Sequence, residues 1–290
     1  MEPTFVEGAD GTVLATWELG GPGEGPSGPA LLVAHATGFH TRCYRALAER
    51  LAVAFRVVGF DCRGHGHSAT PSLAADDDGR VPAMDWGTFG RDALAVVDAL
   101  GLERPVGFGH SCGGAVLLLA EQHRPGTFAA LYAYEPVVAP PGVWAQMAFD
   151  PSASARRRRP TFASRAAALE HLSSKPPLSA LRGDVLVDYV EGGFAEHPDG
   201  TVGLRCTPEA EAATYAMAPS SGGWGPLPAV ACPVTLGCGG ARAHFGVGAA
   251  EALAARVQHG RVDVHPDLGH LGPFEDPDEV AEAVGRALAS

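Results

Sequence analysis

PVGFGHSCGGAVLLLAEQH, residues 105–123, is the stretch on which the fold of this chain turns. PVGFG at 105–109 is a short apolar run of the kind that forms a strand covered on both faces. CGGAVLLLAEQH, from about residue 112, reads as an apolar helix. Between them lies Gly109-His110-Ser111-Cys112-Gly113, a G-x-S-x-G run. Alone the run says little. Between a strand and a helix it marks a tight turn that lifts a serine out of the sheet edge. Glycines at both ends permit the close backbone approach such a turn needs. The helix N-terminus behind the serine offers unpaired N–H groups to a developing negative charge. Ser111 is therefore the candidate nucleophile; the bland alternative is a serine that caps a helix.

Outward from this turn, strand and helix patterns alternate. ALLVAHATGFH at 30–40 opens on a fully apolar strand, 31–34, and is followed by a helical pattern in TRCYRALAERLA. FRVVGF at 55–60 is the next strand and runs into DCRGHGHS at 61–68. TFGRDALAVVDAL at 88–100 repeats apolar positions at helical spacing, with Thr88 as its candidate cap. FAALYAYE at 128–135 is a further strand that ends on a carboxylate, Glu135. This alternation predicts an α/β protein whose central sheet is mainly parallel, with helices on both faces. Upstream, GTVLATWELGG reads as an extended run and 21–29 as a hairpin connection or exposed loop, with WELGGPG among the least ordered-looking parts.

The alternation stops after residue 136. Residues 137–228 carry repeated proline and glycine breaks, no clean strand series, and are too many for a plain loop. They are expected to form a mainly helical lid inserted into a core made of 1–136 and 229–290. CPVTLGCGG at 232–240 and RVDVHPD at 261–267 resume the strands, and Pro277 suits the first turn of a last helix. The four arginines at 156–159 read as a solvated face or as an anion patch, the solvated face being the simpler reading.

Composition bounds the function. With 290 residues, 46% hydrophobic and 19% charged, the chain is globular, and its formal charge of −12 argues against a nucleic-acid partner. Its six cysteines form no CxxC pair and read as free thiols. No basic segment precedes an apolar run at the N-terminus, and no run of 18 apolar residues occurs, so a cytoplasmic protein without a membrane span is expected. Lys175 is the only lysine.

A serine hydroxyl needs a base, and the base needs a carboxylate to orient it. Of twelve histidines His270 is best placed, after a strand and before the last helix in LGHLGPFEDP. His110 adjoins the nucleophile, but neighbouring side chains on a sharp turn diverge. His65 and His67 read as structural or solvent-facing, and His171 and His197 fall in the insertion. HATGFH, DCRGHGHS, GHSCG and the late GH…FEDPDEV occur in an order and spacing that resemble the α/β-hydrolase superfamily across nearly the whole chain. The resemblance implies an oxyanion hole from the backbone N–H groups of Cys112 and Thr37. It also implies that His35 supports the turn after the first core strand, where Ala36 replaces the usual glycine.

In the superfamily the acid commonly follows the strand at 232–240, yet TLGCGGARAHF at 235–245 contains no Asp or Glu. Glu135 is the natural substitute, at the carboxyl end of the strand beside the elbow strand. That position, with the text YEPVV, is similar to haloalkane dehalogenases that carry a catalytic glutamate there. Their nucleophile is an aspartate, and Thr37 stands where they have an asparagine, so dehalogenation is disfavoured. Asp267 and Asp263 remain rivals to Glu135 by their closeness to His270 in sequence, while Asp61 is expected to pair within its own loop.

These residues imply an esterase-like serine hydrolase that acts on a small, hydrophobic acyl substrate. Thioesterase, lactonase, C–C bond hydrolase and a non-catalytic binding protein stay open as alternatives. Phe39, Trp86, Trp144, Met147, Phe162, Tyr215 and Trp224 are candidate pocket residues, with Phe149 and Met217 beside them. No cofactor and no metal site are expected, since no ligand spacing occurs. A small-molecule substrate is the expected partner, and the sequence leaves the oligomeric state open.

Overall fold

Strands covered on both faces need apolar side chains on both, which is why the core strands are written as unbroken runs. β3 (Ala30–Ala34) illustrates the rule: Leu31 and Val33 enter one buried cluster, Leu32 and Ala34 the other. The computed structural model describes residues 1–21, 28–140, 143, 150–240 and 246–289. In chain order the elements up to the elbow are β1 (Thr4–Glu7), β2 (Val13–Gly20), β3, α1 (Arg45–Leu51), β4 (Arg56–Phe60), α2 (Trp86–Ala99), β5 (Val106–His110), α3 (Cys112–His123) and β6 (Leu131–Tyr134). The sheet pairs β3 with β4 and β5, and β5 with β6, all parallel. β1 and β2 join antiparallel at one edge.

The insertion follows β6: α4 (Pro151–Arg156), β7 (Thr161–Phe162), α5 (Arg165–Ser173), α6 (Gly183–Gly193), β8 (Phe194–Glu196), β9 (Val202–Leu204) and α7 (Pro208–Met217). The chain then returns to the sheet as β10 (Val234–Gly239), which pairs parallel with β6. α8 (Gly246–Ala254), β11 (Gly260–His265), α9 (Gly272–Glu275) and α10 (Pro277–Leu288) complete it. The eight strands stand in the order β1-β2-β4-β3-β5-β6-β10-β11. α1 and α10 cover one face; α2, α3 and α8 cover the other. The expected mainly parallel sheet with helices on both faces is the observed one.

Several expectations need correction. β7, β9 and β8 form a small antiparallel sheet within the insertion, beside the helices expected there. Strands of two or three residues are too short for alternation to show in sequence. Residues 17–20 of the stretch WELGGPG belong to β2, and Trp17 is buried with its indole N–H 3.0 Å from Asp61. Asp85, not Thr88, caps α2, accepting the Thr88 N–H. Pro277 does open α10, behind an Asp276 cap. All six cysteines are free and buried. Among the described residues no helix is long and apolar enough to cross a membrane.

Candidate active site

The turn between β5 and α3 is as tight as its glycines require. Ser111 sits at φ 56°, ψ −115°, a conformation L-residues seldom adopt and one that costs on the order of 1–3 kcal/mol. Neighbouring backbone holds it there: Ser111 N–H donates to Tyr134 C=O at 2.9 Å, and Val137 N–H donates to Ser111 C=O at 3.1 Å. A Cβ on Gly113 would lie 2.0 Å from the Ala34 carbonyl oxygen, so α3 can begin this close to β3 only with glycine there.

His270 lies in the loop between β11 and α9, and its Nε2 is 3.1 Å from Ser111 Oγ. Its Nδ1 is 2.7 Å from Glu135 Oε2. Glu135 follows directly on β6 and turns at φ 40°, a left-handed backbone conformation. Its other oxygen, Oε1, accepts the Gly239 N–H at 3.0 Å. β10, whose following loop lacks an acid, thus contributes a backbone donor to the acid from β6. Glu135 is buried while His270 keeps 19% of its side chain exposed, so the imidazole is reachable and its partner is not. The rival Asp263 is engaged elsewhere, accepting from the Tyr132 hydroxyl at 3.0 Å. Nδ1 of His270 faces Glu135 rather than Asp267.

Thr37 lies beside the elbow, near the Cys112 thiol, whose burial pushes its pKa up to about 12. Cys112 is the first residue of α3, where N–H groups have no helical partner. His35 braces the turn: Nδ1 is 2.8 Å from the Ala36 carbonyl, and Nε2 accepts the Cys62 N–H at 2.8 Å. Asp61 binds the His67 N–H of its own loop, and also the Thr41 N–H and the Trp17 indole from outside it. His65 is fully buried rather than solvent-facing, and His67 lies edge-on to Trp17.

Sequence reasoning missed a link between the two sides of the site. The Tyr44 hydroxyl accepts the Ala36 N–H at 3.1 Å and is 2.8 Å from His110 Nδ1. His110 Nε2 is 2.7 Å from the His270 carbonyl oxygen. The tautomer that satisfies every partner has Nε2–H donating and Nδ1 accepting from Tyr44. Burial, with the His270 ring nearby, holds the His110 imidazole well below its usual pKa, which suits that neutral form. His110 does diverge from Ser111, but it joins the Ala36–Thr37 turn to the His270 loop. The only sequence signal was a histidine next to the serine.

Ser111 and His270 open on a cavity of about 1290 Å³. Phe39, Trp86, Phe162 and Tyr215 line it with Thr37. Trp224 does not; it packs against the cluster beneath α3 under the Arg256 guanidinium, 5.3 Å from its ring. Met217 is buried in that same cluster. Trp144, Met147 and Phe149 lie outside the described residues. The 156–159 run is not simply a solvated face: Arg157, Arg158 and Arg159 reach the cavity wall, and Arg158 pairs with Glu211. Among the described residues no group of three or more His, Cys, Asp or Glu is disposed to hold a metal ion.

A profile of the alpha/beta hydrolase family matches residues 31–283. Human monoglyceride lipase is 33% identical over 113 residues, 37% of this chain and 35% of the lipase, so the match takes in about a third of that relative. Among solved structures, E-2-(acetamidomethylene)succinate hydrolase superposes with a TM-score of 0.81 at 18% identity, over 99% of each chain. The enol-lactonase from Burkholderia xenovorans does so with a TM-score of 0.71 at 17% identity, over 99% of this chain and 100% of the lactonase. At such identities the two structures speak for the fold alone. The family profile spans most of the chain, from β3 into α10, and on that ground this chain belongs to the alpha/beta hydrolase family.

Proposed function

We propose that the chain is a serine hydrolase that cleaves a carboxylic ester or related acyl bond of a small substrate through an acyl-enzyme on Ser111. One observation carries the reading: Ser111 Oγ, His270 and Glu135 form an unbroken hydrogen-bonded line at the wall of the cavity. His270 Nε2 takes the Ser111 proton as Oγ attacks the carbonyl carbon, and Glu135 holds the resulting imidazolium by its Nδ1–H. The N–H groups of Cys112 and Thr37 receive the oxyanion, each such donor contributing about 3 kcal/mol in the transition state. His270 then protonates the leaving group, the acyl-oxygen bond breaks, and water attacks the acyl-enzyme by the same proton transfers in turn. Residues 137–228 serve as the lid that closes the substrate against Ser111.

The leaving atom is the finer question. The partial likeness to a monoglyceride lipase supports an oxygen ester over a thioester or amide. Labelling by a fluorophosphonate tests the reading: one equivalent attaches to Ser111, and Ser111→Ala abolishes it. A folded wild-type sample that takes up no label rejects the proposal.

A further inference from the structure

The cavity wall carries a charge balance that acyl chemistry does not use. Arg157, Arg158, Arg159 and Lys175 line it, with the carboxylates of Asp150, Glu211 and Glu275. This runs against a whole-chain charge of −12. Of the three carboxylates Glu211 is ion-paired, and the other two accept backbone N–H bonds. Glu211 pairs with Arg158, whose guanidinium also meets the Tyr189 hydroxyl. Asp150 accepts the Ser152 N–H at the start of α4, and Glu275 accepts the Gly269 N–H. Arg159 gives Nε–H to the Thr161 carbonyl and lies 4.5 Å from the Phe162 ring centroid, contacts that leave its charge uncompensated. Among the described residues Arg157 and Lys175 have no ion-pair partner, and neither 141–149 nor 241–245 contains an Asp or Glu. Four cationic side chains against three carboxylates leave the wall with a net positive charge. It sits on side chains from the turn after α4 and from the end of α5, including the chain's only lysine.

We infer that the substrate carries a carboxylate at the end remote from the bond Ser111 attacks, and that Arg157, Arg159 and Lys175 receive it; the identity of the bond rests on the reading of Ser111 as nucleophile. A guanidinium matches a carboxylate with two parallel N–H bonds, and a lysine adds a point charge beside them. The same wall includes Phe39, Trp86, Leu172 and Tyr215, so the rest of the substrate meets apolar side chains. The class that fits both parts is a half-ester of a dicarboxylic acid. The wholly hydrophobic substrate expected from the aromatic residues lacks the charged end that this wall accommodates.

The test compares mono-p-nitrophenyl esters of succinate, adipate and suberate with p-nitrophenyl butyrate, hexanoate and octanoate. At the chain length that spans the cavity, kcat/KM for the acid ester exceeds that for its neutral partner by about tenfold or more. Raising NaCl from about 0.05 to about 0.5 M narrows the gap. The double variant Arg157→Gln, Lys175→Gln loses about tenfold more on the acid ester than on the neutral one. In parallel, adipate and suberate are titrated calorimetrically into Ser111→Ala with and without the double substitution. Binding that weakens with the substitution sustains the anion site even where no ester is turned over, and then the serine-hydrolase reading alone fails. No preference for the acid ester at any length, together with no dicarboxylate binding, overturns the inference, and fluorophosphonate labelling of Ser111 still upholds the nucleophile.

Discussion

Two histidines at the end of β11 present the same pair of groups in different settings. His265 Nδ1 is 2.7 Å from Glu279 Oε1, and His270 Nδ1 is 2.7 Å from Glu135 Oε2. The difference lies on the other ring nitrogen. His265 Nε2 meets the Tyr132 hydroxyl at 2.9 Å, that hydroxyl lies 3.0 Å from Asp263, and the ring is 3% exposed. It ties β11 to β6 and α10 and has no path to a substrate. His270 Nε2 meets Ser111 Oγ beside an open cavity. A histidine–carboxylate pair is thus not an active site. The third partner and access decide whether the pair moves protons or fastens strands.

The largest effects should separate these two pairs. Ser111→Ala and His270→Gln each lower kcat by about 10⁴–10⁶-fold, and combining them adds little, because groups that act as one unit fail together. His265→Gln instead lowers Tm and costs less than about tenfold in kcat, since it breaks a tie between strands and no proton path. Equal losses of kcat from His265→Gln and His270→Gln in folded protein would erase the distinction.

The carboxylates sharpen the same contrast. Glu135→Gln keeps the shape but leaves the His270 imidazolium without its counter-charge, and kcat falls by about 10²–10⁴-fold with little change in KM. Glu279→Gln changes Tm and leaves kcat within about threefold. Steady-state kinetics on an aryl ester reads both. Hydrolysis unchanged in Glu135→Gln would reassign the orienting acid.

A smaller loss is expected from Tyr44→Phe. It removes one oxygen, leaving the Ala36 N–H and His110 Nδ1 without their shared partner in a buried place. Stability falls by about 1–3 kcal/mol. If the link also sets the spacing between the Ala36–Thr37 turn and the His270 loop, kcat drops by about tenfold while KM holds. A double-mutant cycle with His110→Gln then gives a coupling different from zero, whereas independent roles add.

Much of this arrangement was legible in the sequence, for reasons that differ by part. The sheet was legible because β3, β4, β5 and β10 are buried on both faces and so are spelled in apolar residues. Ser111 was legible because a tight strand-to-helix turn demands glycines at fixed offsets. Glu135 emerged from an absence, the acid-free 235–245 segment, together with its place at a strand end. The Tyr44–His110–His270 link was not legible, because bonds between residues so far apart leave no spacing to read. β7, β8 and β9 were too short to show a period. Aromatic content alone could not distinguish Phe39, Trp86, Phe162 and Tyr215, which line the cavity, from Trp224, which packs against the core cluster instead.

Acid stability offers the finest contrast, between histidines that have a carboxylate and one that has none. His65 is fully buried; its Nδ1 is 3.0 Å from the Arg63 carbonyl, and its Nε2 has no hydrogen-bond partner among the described residues. Burial, reinforced by the nearby His35, lowers its pKa from 6.5 to about 3. In the unfolded chain the ring binds its proton near 6.5, so between that value and about 3 the unfolded state holds the extra proton. The stability is whole above pH 6.5 and drains away as the pH falls toward 3. At about 1.4 kcal/mol per pH unit, the loss reaches about 2 kcal/mol at pH 5. Burial also lowers the pKa of His35 and His40, which steepens the fall. Urea midpoints measured from pH 8 down to about 4.5 should therefore decline below 6.5, and His65→Gln should flatten that decline while lowering the plateau. An unaltered slope in that variant would show that the acid sensitivity comes from elsewhere.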